Sequence, residues 1–167
     1  MSHPVAEERP VIEHGDALNL LRSVVAEAPG PEAATQRAVE MLHDRFGHYD
    51  WVGIYWVDAG ASELVLGPWI GPEATEHTRI PIGTGICGAA AASGQTEIVG
   101  DVNADPRYLS CFASTRSEIV VPIFADGQVV GEIDIDGSDR DAYDETDARF
   151  LEEVAALLAP LRPRDGA

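Results

Sequence analysis

The chain has 167 residues, a formal net charge of −18, and 45% hydrophobic against 24% charged residues. That length suits one domain with a real core, and the acidic balance excludes the basic patches that nucleic acid or an anionic membrane surface requires. No run approaches the roughly 18 apolar residues of a membrane span, and residues 1–10 lack a basic-then-apolar leader, so a cytoplasmic protein is expected. In that compartment two cysteines serve as reactive or inert thiols rather than as a structural bridge. All eleven basic residues are arginine.

Residues 1–15 show no sustained period and read as a flexible arm, followed by one domain over 16–160 and a tail over 161–167. From Asp16, Ala17, Leu18, Leu21, Val24 and Val25 recur at helical spacing until Pro29-Gly30. Pro31 opens a second helix, with Ala38, Val39, Leu42 and Phe46 on one face. Strands are predicted over Trp51 to Val57, Glu63 to Gly67 and His77 to Pro81. Gly83-Thr84-Gly85-Ile86-Cys87-Gly88 then leads into a short alanine helix, placing Cys87 in a first turn where the helix dipole favours thiolate. A glycine-rich turn there also suits phosphate, but the Walker lysine is absent. Thr96 to Val99 is a short strand, and 101–114 is a long excursion of the kind that carries sites. Asp144 and Asp147 form an N-cap signature for a closing helix with Phe150, Leu151, Val154, Leu157 and Leu158 inside. This order predicts an α+β fold, an antiparallel sheet with helices on one side.

The run Ser110 to Pro122 hands a small-residue loop over to an apolar strand and carries Cys111 near Arg116. Cys111 is either an inert small hydrophobe or, with a cation beside it, an activated nucleophile. The following hairpin, Glu118 to Phe124 and Gln128 to Asp136, can be closed in two ways. A two-residue Asp126-Gly127 turn sets Ile119 against Asp134 and Val121 against Glu132. A three-residue loop with Gly127 left-handed gathers Ile119, Val121, Ile123, Val129, Ile133 and Ile135 on one face, with Glu118, Asp134 and Asp136 on the other. The second register is expected, with Glu118 directly across from Asp134. Like charges about 5 Å apart are destabilising. The face is therefore a solvated acidic surface, a hard-metal site (no histidine cluster or calcium-loop spacing supports this, and no metal is expected), or a site for an ammonium group with one carboxyl kept protonated as a general acid.

Trp51-Val52-Gly53-Ile54-Tyr55, Leu64 to Pro68, Arg79 to Gly88, the Cys111 to Pro122 run and Ile133-Asp134-Ile135-Asp136 together resemble the free methionine-(R)-sulfoxide reductases, which are stand-alone GAF domains. The resemblance spans most of residues 31–159. It implies a GAF-like antiparallel sheet with the N- and C-terminal helices packed on one side. It further implies that Cys111 is the nucleophile and Cys87 a recycling cysteine. By the same resemblance Trp51 and Tyr55 line the methyl-sulfur end of the substrate, and Glu118, Asp134 and Asp136 bind it, with Glu118 and Asp136 also serving in proton donation. Sulfoxide reduction needs an attacking thiolate, an acid for the departing oxygen, and a second thiol to collapse the sulfenic acid into a disulfide. No cofactor is implied beyond an external thiol reductant of the thioredoxin kind, and a homodimer is the family's habit.

Two positions depart from the family pattern. His77 stands where many members carry a third cysteine that resolves the intermediate, and Phe112 stands where an aspartate commonly follows the nucleophile. A second function therefore remains open: a GAF module that senses a small ligand without turnover. A third is an interaction domain whose acidic face only keeps it in solution.

Overall fold

The computed structural model of the protein describes residues 10–110 and 112–164. Of the expected arm, residues 1–9 lie outside the described residues, as do 165–167 of the expected tail. The first helix, α1, spans Pro10–Glu27 and begins before Asp16, so residues 10–15 are helix and not arm. The polar run Glu13-His14-Gly15-Asp16 hides this start, because its anchor is tertiary. His14 is buried, its ring stacked on Phe150 at a centroid distance of 4.3 Å and its Nε2 3.8 Å from Asp147 Oδ1. The second helix, α2 (Pro31–Arg45), starts with Pro31 in its first turn and buries Ala34, Thr35, Ala38, Val39 and Leu42.

Among the described residues six strands form one sheet: β1 (Trp51–Asp58), β2 (Glu63–Ile70), β3 (Arg79–Pro81), β4 (Glu97–Val99), β5 (Ser117–Ala125) and β6 (Gln128–Gly137). Their order is β3-β2-β1-β6-β5-β4, and every neighbouring pair is antiparallel. Two further helices complete the fold, α3 (Gly85–Ser93) and α4 (Glu145–Leu158).

The period of two along a strand sends alternate residues to opposite faces, and here both faces are covered. On one, Val52, Ile54, Ile119, Val121, Ile133 and Ile135 pack with Leu21 of α1, Leu42 of α2 and Leu151 and Leu158 of α4. Burying each such aliphatic side chain contributes roughly 1.5–3 kcal/mol. On the other face, Trp51, Tyr55, Leu64 and Val120 pack with Ile86 and Cys87 of α3 and with Val102 and Phe112 of the excursion. The N- and C-terminal helices thus share one side, as expected, while α3 lies on the opposite side and roofs the sheet there.

Helix α4 is fixed at its start by a capping box. Asp144 accepts hydrogen bonds from Thr146 N at 2.9 Å and Asp147 N at 3.2 Å, and Asp147 Oδ2 accepts from Asp144 N at 3.1 Å. Removing the cap leaves backbone donors unpaired, at a cost of about 1 kcal/mol. Asp144→Ala is expected to lower Tm by about 2–4 °C, measured by thermal unfolding.

The hairpin differs from expectation in its turn, and keeps its face assignment on both strands except at Val129. Ala125 pairs with Gln128, so the turn is two residues, Asp126 and Gly127, at φ 52 and φ 77. Both left-handed values belong to the type I′ turn whose twist suits a hairpin. A bulge at Val130 follows: Phe124 pairs with Val129, but Ile123 with Gly131. That extra residue shifts the register by one, setting Ile119 against Ile135 and Val121 against Ile133. Glu118 consequently faces Asp136 and not Asp134, whose direct partner is Val120. The bulge also brings Val130, in place of Val129, against the apolar core.

Candidate active site

The register of three strands builds the site. On β6, Glu132, Asp134 and Asp136 alternate with Ile133 and Ile135, so all three acids face the α3 side. β5 sets Glu118 against Asp136, and β1 sets Trp51, Gly53 and Tyr55 against Asp136, Asp134 and Glu132. Glycine is required at 53, because the Trp51 indole lies flat over it and a Cβ there would run into the ring. Trp51 stacks on Trp69 at 6.0 Å and is flanked by Phe112 at 5.8 Å, so Phe112 joins the aromatic wall. The Tyr55 hydroxyl donates to the carbonyl of His77 at 2.8 Å, and the His77 ring lies 3.4 Å from the carbonyl of Ser110. His77 therefore sits beside the segment that carries the expected nucleophile. Cys111 itself lies outside the described residues. Arg116, the expected cation near it, gives its guanidinium to the carbonyls of Ala113 and Thr115.

Cys87 enters from the opposite layer, in the first turn of α3. Gly85, one residue into that turn, has φ 71 and lies beneath Leu109, which would stand 2.9 Å from any Cβ. The excursion thus closes over the helix start. The expected bias of the helix dipole toward thiolate at Cys87 is outweighed by its surroundings. Burial pushes the thiol well above its ordinary value, and Asp134, Glu132, Glu118 and Asp136 push it further. A helix terminus offers about 0.3–1 kcal/mol to a charge at its first turn, too little against desolvation and four acids.

The acidic face is not solvated. Glu118, Glu132, Asp134 and Asp136 are 4%, 0%, 3% and 2% exposed, and among the described residues none of them forms an ion pair. Burial raises all four carboxyls. In Glu118 the effect is reinforced by Asp134 and Asp136, toward which its carboxyl hydrogen-bonds; in Glu132 and Asp136 it is reinforced by Asp134. Hydrogen bonds from Glu118 and Cys87 oppose the rise at Asp134. Among the described residues, Asp134 Oδ1, Asp136 Oδ1 and the Trp51 indole nitrogen are buried without a hydrogen-bond partner, and the Glu132 oxygens have at most the weak Cys87 thiol beside them. Cys87, Glu118 and Asp134 bring ligand atoms within 4.8 Å of one another. Chemically this is a buried, proton-holding cluster of acids beside aromatic side chains, a set whose unmet polar atoms a cation could pair.

The GAF domain family matches residues 30–160. The chain belongs to this family. Among the relatives of this GAF domain, a free methionine-R-sulfoxide reductase of Saccharomyces cerevisiae is 43% identical over 111 residues, 65% of this chain and 61% of the relative. One of Escherichia coli is 34% identical over 118 residues, 71% of this chain and 69% of the relative. The X-ray structure of the free methionine-R-sulfoxide reductase from Neisseria meningitidis in complex with its substrate superposes with a TM-score of 0.85 at 41% identity. The match covers 96% of this chain and 94% of that one.

Sequence reasoning missed one member of the GAF domain's acidic face. Glu132 shares the alternation of Asp134 and Asp136 and was legible from it, but appeared only as a mispaired residue in a rejected register. Its protonated form is favoured by folding. That stabilisation is complete below the unfolded carboxylate range near pH 4 and is lost as pH rises through the higher folded value. Glu132→Gln is therefore expected to raise Tm at pH 8 by about 3 °C or more and to change it little at pH 5. Thermal melts across that interval check this, and an equal effect at both pH values contradicts it.

Proposed function

We propose that this GAF domain is an oxidoreductase that converts free L-methionine-(R)-sulfoxide to methionine. One observation carries the reading: four buried carboxyl groups, with no ion pair among the described residues, stand against the Trp51 wall and Cys87, in a chain 34–43% identical over 111–118 residues to reductases named for that substrate. The substrate's ammonium group enters the Glu118, Asp134 and Asp136 face, and its methyl-sulfur end lies against Trp51 and Tyr55.

In the proposed reaction the Cys111 thiolate attacks the sulfoxide sulfur. The oxygen takes one proton from the Glu118 and Asp136 acid pair and passes to Cys111 as sulfenic acid, and methionine leaves. The Cys87 thiol then attacks the Cys111 sulfur, forming the disulfide and releasing water; two electrons have moved from the two thiols to the substrate. An external dithiol of the thioredoxin kind restores both. The raised Cys87 thiol suits a group that acts second, since it stays protonated until the sulfenic acid is present. The protein works as a homodimer in the cytoplasm on this reading. His77 in place of a third cysteine favours the alternative, a ligand sensor without turnover.

Single-turnover chemistry separates the two. Reduced protein mixed with excess sulfoxide and no reductant is expected to give one methionine per chain and to lose two thiols. Cys87→Ser is expected to keep that first methionine and to lose thioredoxin-driven cycling. A sensor gives bound sulfoxide and no methionine.

A further inference from the structure

We propose that Cys87, Glu118 and Asp134 also form an inhibitory site for a thiophilic divalent cation, of which Zn²⁺ is the expected member. Their ligand atoms lie within 4.8 Å of one another. A tetrahedral zinc ion holds sulfur at about 2.3 Å and carboxylate oxygen at about 2.0–2.2 Å, so side-chain adjustments on the order of 1 Å would fill three of its four positions and leave the fourth to water. The three residues stand on a fixed frame. Glu118 and Asp134 lie on adjacent strands paired without interruption from the Ser117 and Gly137 pair to the Ile123 and Gly131 pair. Cys87 is held in the first turn of α3, where Gly88 N donates to the Thr84 carbonyl at 3.0 Å and Gly83 N to the Gly88 carbonyl at 2.9 Å.

A second observation points to a ligand. Asp134, 3% exposed, has its Oδ1 buried with no partner, and Asp136 and Glu132 beside it are likewise incompletely paired. The pocket gathers four acids and a thiol. A single ammonium leaves most of that set dependent on retained protons, whereas a dication displaces the protons of Cys87 and Glu118 and pairs with both. The donor set selects the metal. A thiolate with carboxylates suits zinc or cadmium, and magnesium and calcium demand six or more oxygens that the three residues do not supply. Sequence spacing gave no sign of this, because the sulfur comes from a different layer than the acids.

The inhibitory character rests on the reductase reading, since the ion would take the place of the ammonium group and hold the recycling thiol. The binding does not rest on it. The test uses full-length protein carrying Cys111→Ala, so that Cys87 is the remaining thiol, stripped with a chelator and kept reduced. Titration with Co²⁺ is expected to give a thiolate-to-cobalt charge-transfer band at one ion per chain, displaced by Zn²⁺. Cys87→Ser in the same background should abolish the band. Asp134→Asn should keep the band and weaken Zn²⁺ binding about tenfold or more, with circular dichroism confirming the fold of each variant. Absence of the charge-transfer band, or Zn²⁺ affinity unchanged in both variants, overturns the proposal. Neither result depends on turnover, so a failed reductase reading leaves the metal measurement interpretable, and the converse holds.

Discussion

Cys111→Ser is expected to lower methionine formation by about 10³-fold or more with dithiothreitol and with thioredoxin alike. The attacking sulfur must form a bond to the substrate sulfur, and an external thiol that acts on the later disulfide does not replace it. Serine keeps the size of the side chain, but its hydroxyl stays protonated at neutral pH and is a poor nucleophile toward sulfur. Cys87 cannot stand in for it. Its thiol is buried and held well above its ordinary value by desolvation and by Asp134, Glu132, Glu118 and Asp136, so thiolate is scarce there before the first step. Thermal unfolding should show the variant folded. Residual activity above about a tenth of wild type would remove Cys111 from the role.

The second large effect is discrimination for the free amino acid. N-acetylation turns the substrate's ammonium into a neutral amide, and the Glu118, Asp134 and Asp136 face then meets no cation. Those carboxyl groups are buried and form no ion pair among the described residues, so an amide beside them leaves a charge unpaired or forces a proton to remain. Unpaired buried charge costs several kcal/mol, and sites built around a polar partner reject analogues that lack it. Wild-type protein is therefore expected to prefer free methionine-(R)-sulfoxide over its N-acetyl derivative on the order of 10³-fold in kcat/KM. Asp134→Asn should raise KM for the free substrate and erode that preference. Equal rates on both compounds would leave the three carboxylates with an acid-base role alone.

Much of this was legible in the chain, for reasons that differ by element. The alternation Ile133-Asp134-Ile135-Asp136 separates two faces whatever the turn, so the isoleucines and Glu118, Asp134 and Asp136 were assigned to the right faces, while Val129 was expected where Val130 stands and Glu132 was left out. The loop-length argument treated one residue of slip as belonging to the turn; the molecule places it at Val130 instead. The Asp144 and Asp147 capping pair is a local signal and needed no tertiary knowledge. The start of α1 was hidden because His14 is held by Phe150 and Asp147, both far along the chain. The state of the Cys87 thiol was misjudged for a related reason. A helix N-terminus is visible in Gly83 to Gly88, whereas the four acids that face it arrive from β5 and β6. Glu132 was overlooked although it stands two residues before Asp134 on the same face, because it was weighed only in the rejected register.

The most direct test is consumption of free methionine sulfoxide by the purified, reduced protein, with the two sulfur epimers resolved and with dithiothreitol and thioredoxin in parallel. The expected result is loss of the R epimer with matching formation of methionine over many turnovers, and an S epimer left untouched. Binding of the sulfoxide without methionine formation under either reductant, or equal loss of both epimers, would contradict it.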